Sequence, residues 1–289
     1  MDVHPVRGRS SSRLSRPFGQ SLSGEFQLKI SKRFVALAVV LFSTSMFAGV
    51  CAADETGDLK IRFVYGGDAP AAKPINADKD ADFCGKHGLV DESLVVNPEN
   101  KGIKNVVVYV YTGSRGTDLP KQTPANATHT LANLNCRFEP HVVICQVGDT
   151  LKVTNPDPVG HNANLKFFNN TAQNFMIPAK QEKSVTLEEA EPALIPVECN
   201  IHPWMKANIL VVDHPFAAVS DEDGYLEIKG LPAGKEIIFR ASHDSGTFRD
   251  EIIINGKKDS WRSNKFEVEI KPGMNDMGTV EMPPAAFED

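Results

Sequence analysis

Apolar residues in this 289-residue chain do not recur at helical spacing for long; they come in short runs that Gly, Pro, Asn and Asp keep interrupting. Runs of four to eight Val-, Ile-, Phe- and Thr-rich residues between turn residues are the mark of β-strands. "DLKIRFVY" (58–65), "NVVVYVYT" (105–112), "VVICQV" (142–147), "TLKVTN" (150–155), "LIPVEC" (194–199) and "NILVVD" (208–213) all read this way. With 41% apolar residues the chain can build one large core or two small ones. The expected class is all-β, with regular strand spacing that predicts a Greek-key sandwich and a second, smaller Ig-like sandwich.

The N-terminus stands apart. Residues 1–33 are rich in Ser and Arg, the run "FVALAVVLFSTSMFAGV" (34–50) is apolar, and small residues follow. A basic region, an apolar region and a small-residue exit describe a secretory signal peptide over 1–52, with Val50 and Ala52 at the −3 and −1 positions of a cut before Ala53. An uncleaved membrane anchor is the alternative, the apolar run being near the lower length for spanning. Removing the leader's net +5 from the whole chain's −6 leaves −11. Such a surface argues against nucleic acid and fits a basic or mixed protein partner. Export implies a periplasmic or other exported location, where disulfides persist.

Three segments follow: 53–128, 129–213 and 214–283, with a tail at 284–289. The first holds two strands around a long polar connection, and a connection of that length is usually functional. In the second, "FFNNTAQNFMIPAK" (167–180) reads as a surface loop. In the third, "DEDG" (221–224) reads as a hairpin turn, and its acidic residues lack the ligand spacing of an EF-hand.

Chemistry concentrates in "VECNIHPWMKANILVV" (197–212), where Cys199, His202 and Met205 are spaced C-x2-H-x2-M between two strands. Thiolate, imidazole and thioether together suit copper, and a blue-copper site adds a second His. His161 in "NPDPVGHNANL" follows a turn at the end of a strand and is the candidate.

The stretches "CRFEPHVVICQVGDTLKVTNPDPVGHNANL" and "VECNIHPWMKANILVV" resemble the cupredoxins, the small blue-copper proteins, most of all the amicyanin and plastocyanin type. The likeness covers about 85 residues, 129–213, and includes "GHN" at His161, the Phe138–Pro140 step and the "VGDT" turn. It implies one copper ion in a type 1 site. His161, Cys199 and His202 would form the plane and Met205 the axial contact. It implies one-electron transfer by Cu(I)/Cu(II) cycling, not enzymatic turnover, between a redox protein donor and acceptor. Gly160 would let its carbonyl near the metal, and Asn162 would pin one ligand loop to the other. His202 would lie nearest the surface, with Pro203 and Trp204 as an apolar docking patch. The amicyanin loop has Pro where this chain has Ile201, whose N–H would be free to reach the thiolate.

With Cys199 given to a metal, Cys84 with Cys136 is the preferred disulfide, since Cys145 lies in an apolar strand that tolerates a free thiol; spacing alone does not decide the connectivity. His87, His129, His141, His214 and His243 default to ordinary polar roles. The stretch "VSDEDGYLEIKGLPAGKEIIFRA" resembles carboxypeptidase-regulatory-like β modules, and the first segment could complete that module. The whole layout is similar to exported bacterial proteins labelled methylamine-utilisation proteins. A copper chaperone, store or sensor is the alternative function, and a β scaffold with a vestigial site the third.

Overall fold

A computed structural model describes residues 55–248 and 251–288. The leader expected at 1–52 lies outside the described residues. Among those described, no helix is long and apolar enough to cross a membrane.

The chain is all-β. It opens with β1 (Thr56–Tyr65), whose burial alternates strictly: Leu59, Ile61 and Phe63 are fully buried, and the residues between them are not. That period of two is what a strand with one face on a core requires. A short helix α1 (Ala81–Cys84) interrupts the long connection to β2 (Val107–Val110). All four residues of β2 are buried, because both of its faces are covered.

The next nine strands build one sandwich. They are β3 (Thr128–Leu134), β4 (Arg137–Glu139), β5 (Val142–Gln146), β6 (Thr150–Thr154), β7 (His161–Leu165), β8 (Gln173–Ile177), β9 (Glu182–Thr186), β10 (Ile195–Glu198) and β11 (Lys206–Val212). One sheet runs β4-β3-β6-β9 and the other β5-β11-β10-β7-β8. Leu131, Phe138, Leu151, Val153, Leu165, Val197 and Ile209 meet between them. The surface loop expected at 167–180 contains β8, an edge strand on β7 with Ile177 inside. Three Asn and a Gln masked its short apolar alternation.

The rest of the chain returns to β1 and β2. It comprises β12 (Ala217–Val219), β13 (Tyr225–Pro232), β14 (Lys235–Ser242), β15 (Glu251–Ile254), β16 (Lys257–Ser260), β17 (Lys265–Ile270) and β18 (Gly273–Met282). β1 lies between β13, antiparallel, and β18, parallel; β2 lies between β12 and β14. The sheets β13-β1-β18-β15-β16 and β12-β2-β14-β17 enclose a second core, where Phe63, Phe239, Phe248, Trp261 and Phe266 pack together. The "DEDG" turn is not that of a hairpin. β12 and β13 belong to different sheets, so the turn is a corner. Asp221 Oδ1 accepts the Asp223 and Tyr225 N–H groups there, and Gly224 (φ +82°) leaves no room for a Cβ beside the Phe63 carbonyl.

Val107 and Tyr109 of β2 turn away from the second core and meet Val142, Leu210 and Val212. This apolar layer joins the two sandwiches.

Candidate metal centre

Strand order brings the candidate ligands together. β10 and β11 form an antiparallel hairpin in which Glu198 pairs with Lys206, and Cys199 to Met205 is its loop. The loop is closed by Cys199 N–H to Met205 O at 3.2 Å and Met205 N–H to His202 O at 2.9 Å. β7 runs antiparallel on the other side of β10, with Glu198 opposite Asn164. The start of β7, His161, therefore lies beside the loop end of the hairpin.

A polar frame holds the approach to β7. The buried Asn155 side chain donates to Val159 O and Ile177 O, and its Oδ1 accepts the Asp157 N–H. Asp157 in turn accepts N–H groups of Asn135 and Cys136, each at 2.8 Å. Those two residues are the tip of the β3–β4 hairpin, both left-handed (φ 55° and 58°). Glycine usually takes the second such place. Here Cys136 holds it, bonded to Cys84 of α1, with Cα atoms 5.5 Å apart.

The donor atoms of His161, Cys199 and His202 lie within 4.8 Å of one another, and all three residues are buried. His161 Nδ1 and His202 Nδ1 are 3.0 Å apart, and Cys199 Sγ is 3.7 Å from His202 Nδ1. Three donors around one ion, at bond lengths of about 2.0–2.3 Å, would have edges of about 3.5–3.8 Å. The residues fit a metal ion with little movement. Met205, buried at the end of the same loop, packs in the same core cluster as Cys199.

Each imidazole gives its outer nitrogen to a carboxylate. His161 Nε2 is 3.0 Å from Asp157 Oδ2, and His202 Nε2 is 2.9 Å from Asp80 Oδ2. A neutral imidazole has one N–H, and a carboxylate only accepts. The N–H of each ring therefore points outward, and both Nδ1 lone pairs point at one spot. Two lone pairs at 3.0 Å repel unless a cation, proton or metal, stands beside them.

Electrostatics agree with that geometry. Burial alone would push the Cys199 thiol up, but when the rings carry the extra proton that stands in for a cation, hydrogen bonds from His161 and His202 bring it from 9.0 down to about 6. A thiol lowered in this way gives up its proton readily, and the thiolate is the form that binds metal. Burial opposes charge on His161, but Asp157 and Cys199 outweigh it and raise its pKa. Burial likewise opposes charge on Asp157, but His161 and the two hairpin N–H groups hold its carboxyl below the usual range.

Asn162 Oδ1 accepts the Asn200 N–H at 2.7 Å and so links the start of β7 to the Cys199 loop. A Cβ on Gly160 would meet only Met176 Cε, at 3.9 Å, so packing does not demand glycine there. Three expectations need correction. Among the described residues no Ile201 N–H contact to the Cys199 sulfur is found; Sγ meets Asn162 Oδ1 at 3.5 Å and His202 Nδ1 at 3.7 Å, and Ile201 packs half-buried against the core. His202 is not at the surface; its exposure is 0%. Asp80, at the start of α1, meets its Nε2 at 2.9 Å. Finally, Pro203 is exposed but Trp204 is half-buried, its ring 5.2 Å from His202 and its Nε1 donating to Cys136 O. The two do not make an open apolar patch.

Four of the other described histidines have polar partners of their own. His129 meets Asp149, His141 meets Asp244, His214 meets Val110 O and His243 meets Lys104 O. His87 packs on Phe83. Sequence reading missed Asp80 and Asp157 as site residues. Asp157 sits in the quoted "NPDP" turn, four residues before His161, and that proximity was a signal. Asp80 had none.

No protein-family model matches the chain, and no curated protein matches it. Solved structures similar to parts of it are cupredoxins and a copper enzyme. A Cu(I) mutant of amicyanin is 20% identical over 30% of this chain and 94% of that one, with a TM-score of 0.27. A purple cupredoxin from Nitrosopumilus maritimus is 23% identical over 29% of this chain and 98% of that one, at 0.25. The copper-containing nitrite reductase of Thermus scotoductus SA-01 is 20% identical over 36% and 25%, at 0.26.

Proposed function

We propose that this chain is an exported, non-enzymatic electron carrier of the cupredoxin kind, holding one copper ion in a type 1 site. The observation that carries the reading is the convergence of two imidazole nitrogens and a cysteine sulfur on one buried point. His161, Cys199 and His202 would hold the ion, with the Met205 thioether as a further, weaker ligand. The thioether and thiolate favour copper over the harder divalent metals. Copper, when bound, supplies one-electron chemistry between its two oxidation states.

The chain's own part is rigidity. The two imidazoles are held from behind by Asp157 and Asp80. Cys199 sits at the mouth of a hairpin closed by backbone hydrogen bonds, its sulfur beside Asn162 Oδ1 and His202 Nδ1. Asn162 ties the two ligand loops together. Ligands fixed in this way move little when the charge at their centre changes by one, which lowers the barrier to electron transfer. Burial excludes water from the sulfur and protects it from oxidation. A redox protein donor and acceptor are the partners, outside the cytoplasm if the leader acts as a secretion signal.

The test is the absorption spectrum of copper-loaded protein, alongside Cys199→Ser. An intense thiolate-to-Cu(II) band in the visible, lost on reduction and absent from the variant, supports the carrier. A colourless protein that takes only Cu(I) would make it a chaperone, store or sensor. No copper binding at all would leave a β scaffold.

A further inference from the structure

The long polar connection before β2 has an unexpected role, and Asp80 is its centre. Asp80 opens α1 in a left-handed conformation (φ 46°), which a non-glycine residue adopts only at a cost, and its side chain makes no capping hydrogen bond to the helix. Its carboxylate goes instead to His202 Nε2, 122 residues away. Its carbonyl accepts the N–H groups of Phe83 and Cys84, so Asp80 is held one turn from the disulfide.

The other end of that disulfide serves the other imidazole. The Cys136 N–H donates to Asp157, whose Oδ2 meets His161 Nε2. Cys136 O accepts from Trp204, beside His202. One covalent link thus supports both carboxylates that stand behind the two rings.

We propose that Asp80 is the positioning residue for His202, and that with Asp157 it biases the centre toward the more highly charged state of its metal. This rests on the copper reading above. A carboxylate accepting the outer N–H fixes the tautomer that leaves Nδ1 free and makes that nitrogen a stronger donor. Two such carboxylates and a thiolate put three negative charges around one ion, and Cu(II) gains more from them than Cu(I). Asp80 is 43% exposed and Asp157 only 2%, so solvent screens Asp80 more. Asp80 is nevertheless the cleaner probe, because Asp157 also carries backbone hydrogen bonds of the β3–β4 turn.

The experiment is a redox titration of copper-loaded wild type, Asp80→Asn, Asp80→Ala and Asp80→Glu. Asn keeps an acceptor for the ring N–H but removes the charge. It is expected to shift the Cu(I):Cu(II) balance about tenfold toward Cu(I), some 59 mV for one electron, through an about tenfold loss of Cu(II) affinity with little change in Cu(I) affinity. Ala should shift the potential similarly and weaken binding about 10–100-fold. Glu should restore much of the wild-type potential. A second readout needs no metal. In the metal-free protein the His202 Nε2–H proton should exchange slowly in the wild type, more slowly than in Asp80→Ala, by NMR. Potentials of Asn and Ala variants within a twofold balance of the wild type, or a His202 proton that Ala leaves unchanged, would overturn the proposal. A wild type that binds no copper would sink the copper reading instead, and the metal-free proton would then decide whether Asp80 positions His202.

Discussion

The two sandwiches use the same kind of strands and differ in what they bury. The module of β1, β2 and β12–β18 fills its core with aliphatic and aromatic side chains, Trp261 stacking on Phe266 at 4.1 Å between ring centres. The sandwich of β3–β11 has an equally apolar middle. At one end, though, it buries Asn155, Asp157, His161, Asn162 and His202 as a single partnered network. Buried polar groups destabilise a fold unless every one finds a partner, so such a network persists where it has another use. Among the described residues the module's buried polar groups, such as Ser220 and His243, bond to backbone rather than to one another, and the module supports its neighbour through the layer of Val107, Tyr109, Leu210 and Val212.

That contrast can be broken most forcefully at Asp157 and Phe239. Asp157→Ala would strand two backbone N–H groups and the His161 ring, a loss of roughly 3–5 kcal/mol. Phe239→Ala in the fully buried module core should cost a similar 3–5 kcal/mol. Urea denaturation measures both. Only Asp157→Ala should also alter the copper spectrum; if Phe239→Ala alters it equally, the two regions are not separate in role.

Removing the disulfide is the next step down. Cys84 and Cys136 close a loop of 52 residues, and the double Ala variant should lose roughly 3–4 kcal/mol. It should also let α1 move off His202, seen as faster proton exchange at that ring. Unchanged exchange would mean that α1 stays in place without its covalent tie.

The smallest effect sharpens the comparison by pH. Burial pushes His243 from 6.5 down to about 4, against the nearby Asp244 charge and the Lys104 carbonyl, with His141 adding to the shift. Between pH 4 and 6.5 the unfolded chain therefore binds more protons at this residue than the folded one. Its contribution is complete above about pH 6.5 and is lost as pH falls through that window, at most about 3 kcal/mol. His161, raised rather than lowered, acts with the opposite sign. His243→Gln should flatten the stability profile between pH 4 and 6.5; an unchanged slope would place the dependence elsewhere.

Much of this molecule is written locally. Alternation in "DLKIRFVY" and the continuous run "NILVVD" declare a strand with one covered face and a strand with two, as Leu59, Ile61 and Phe63, and then Ile209 to Val212, turn out to be. Cys199, His202 and Met205 share one hairpin loop, so their proximity needs only the turn between two strands. β8 escaped because its polar residues dilute a five-residue alternation. The amino-acid sequence by itself determined the strands and the donor set. Only the tertiary structure decided that His202 is buried, that Asp80 meets it, and that β1 and β2 close a module with strands more than a hundred residues later. Periodicity and loop spacing act between neighbours along the chain, while a carboxylate reaching a ring 122 residues away depends on how whole elements pack, and no local pattern records that.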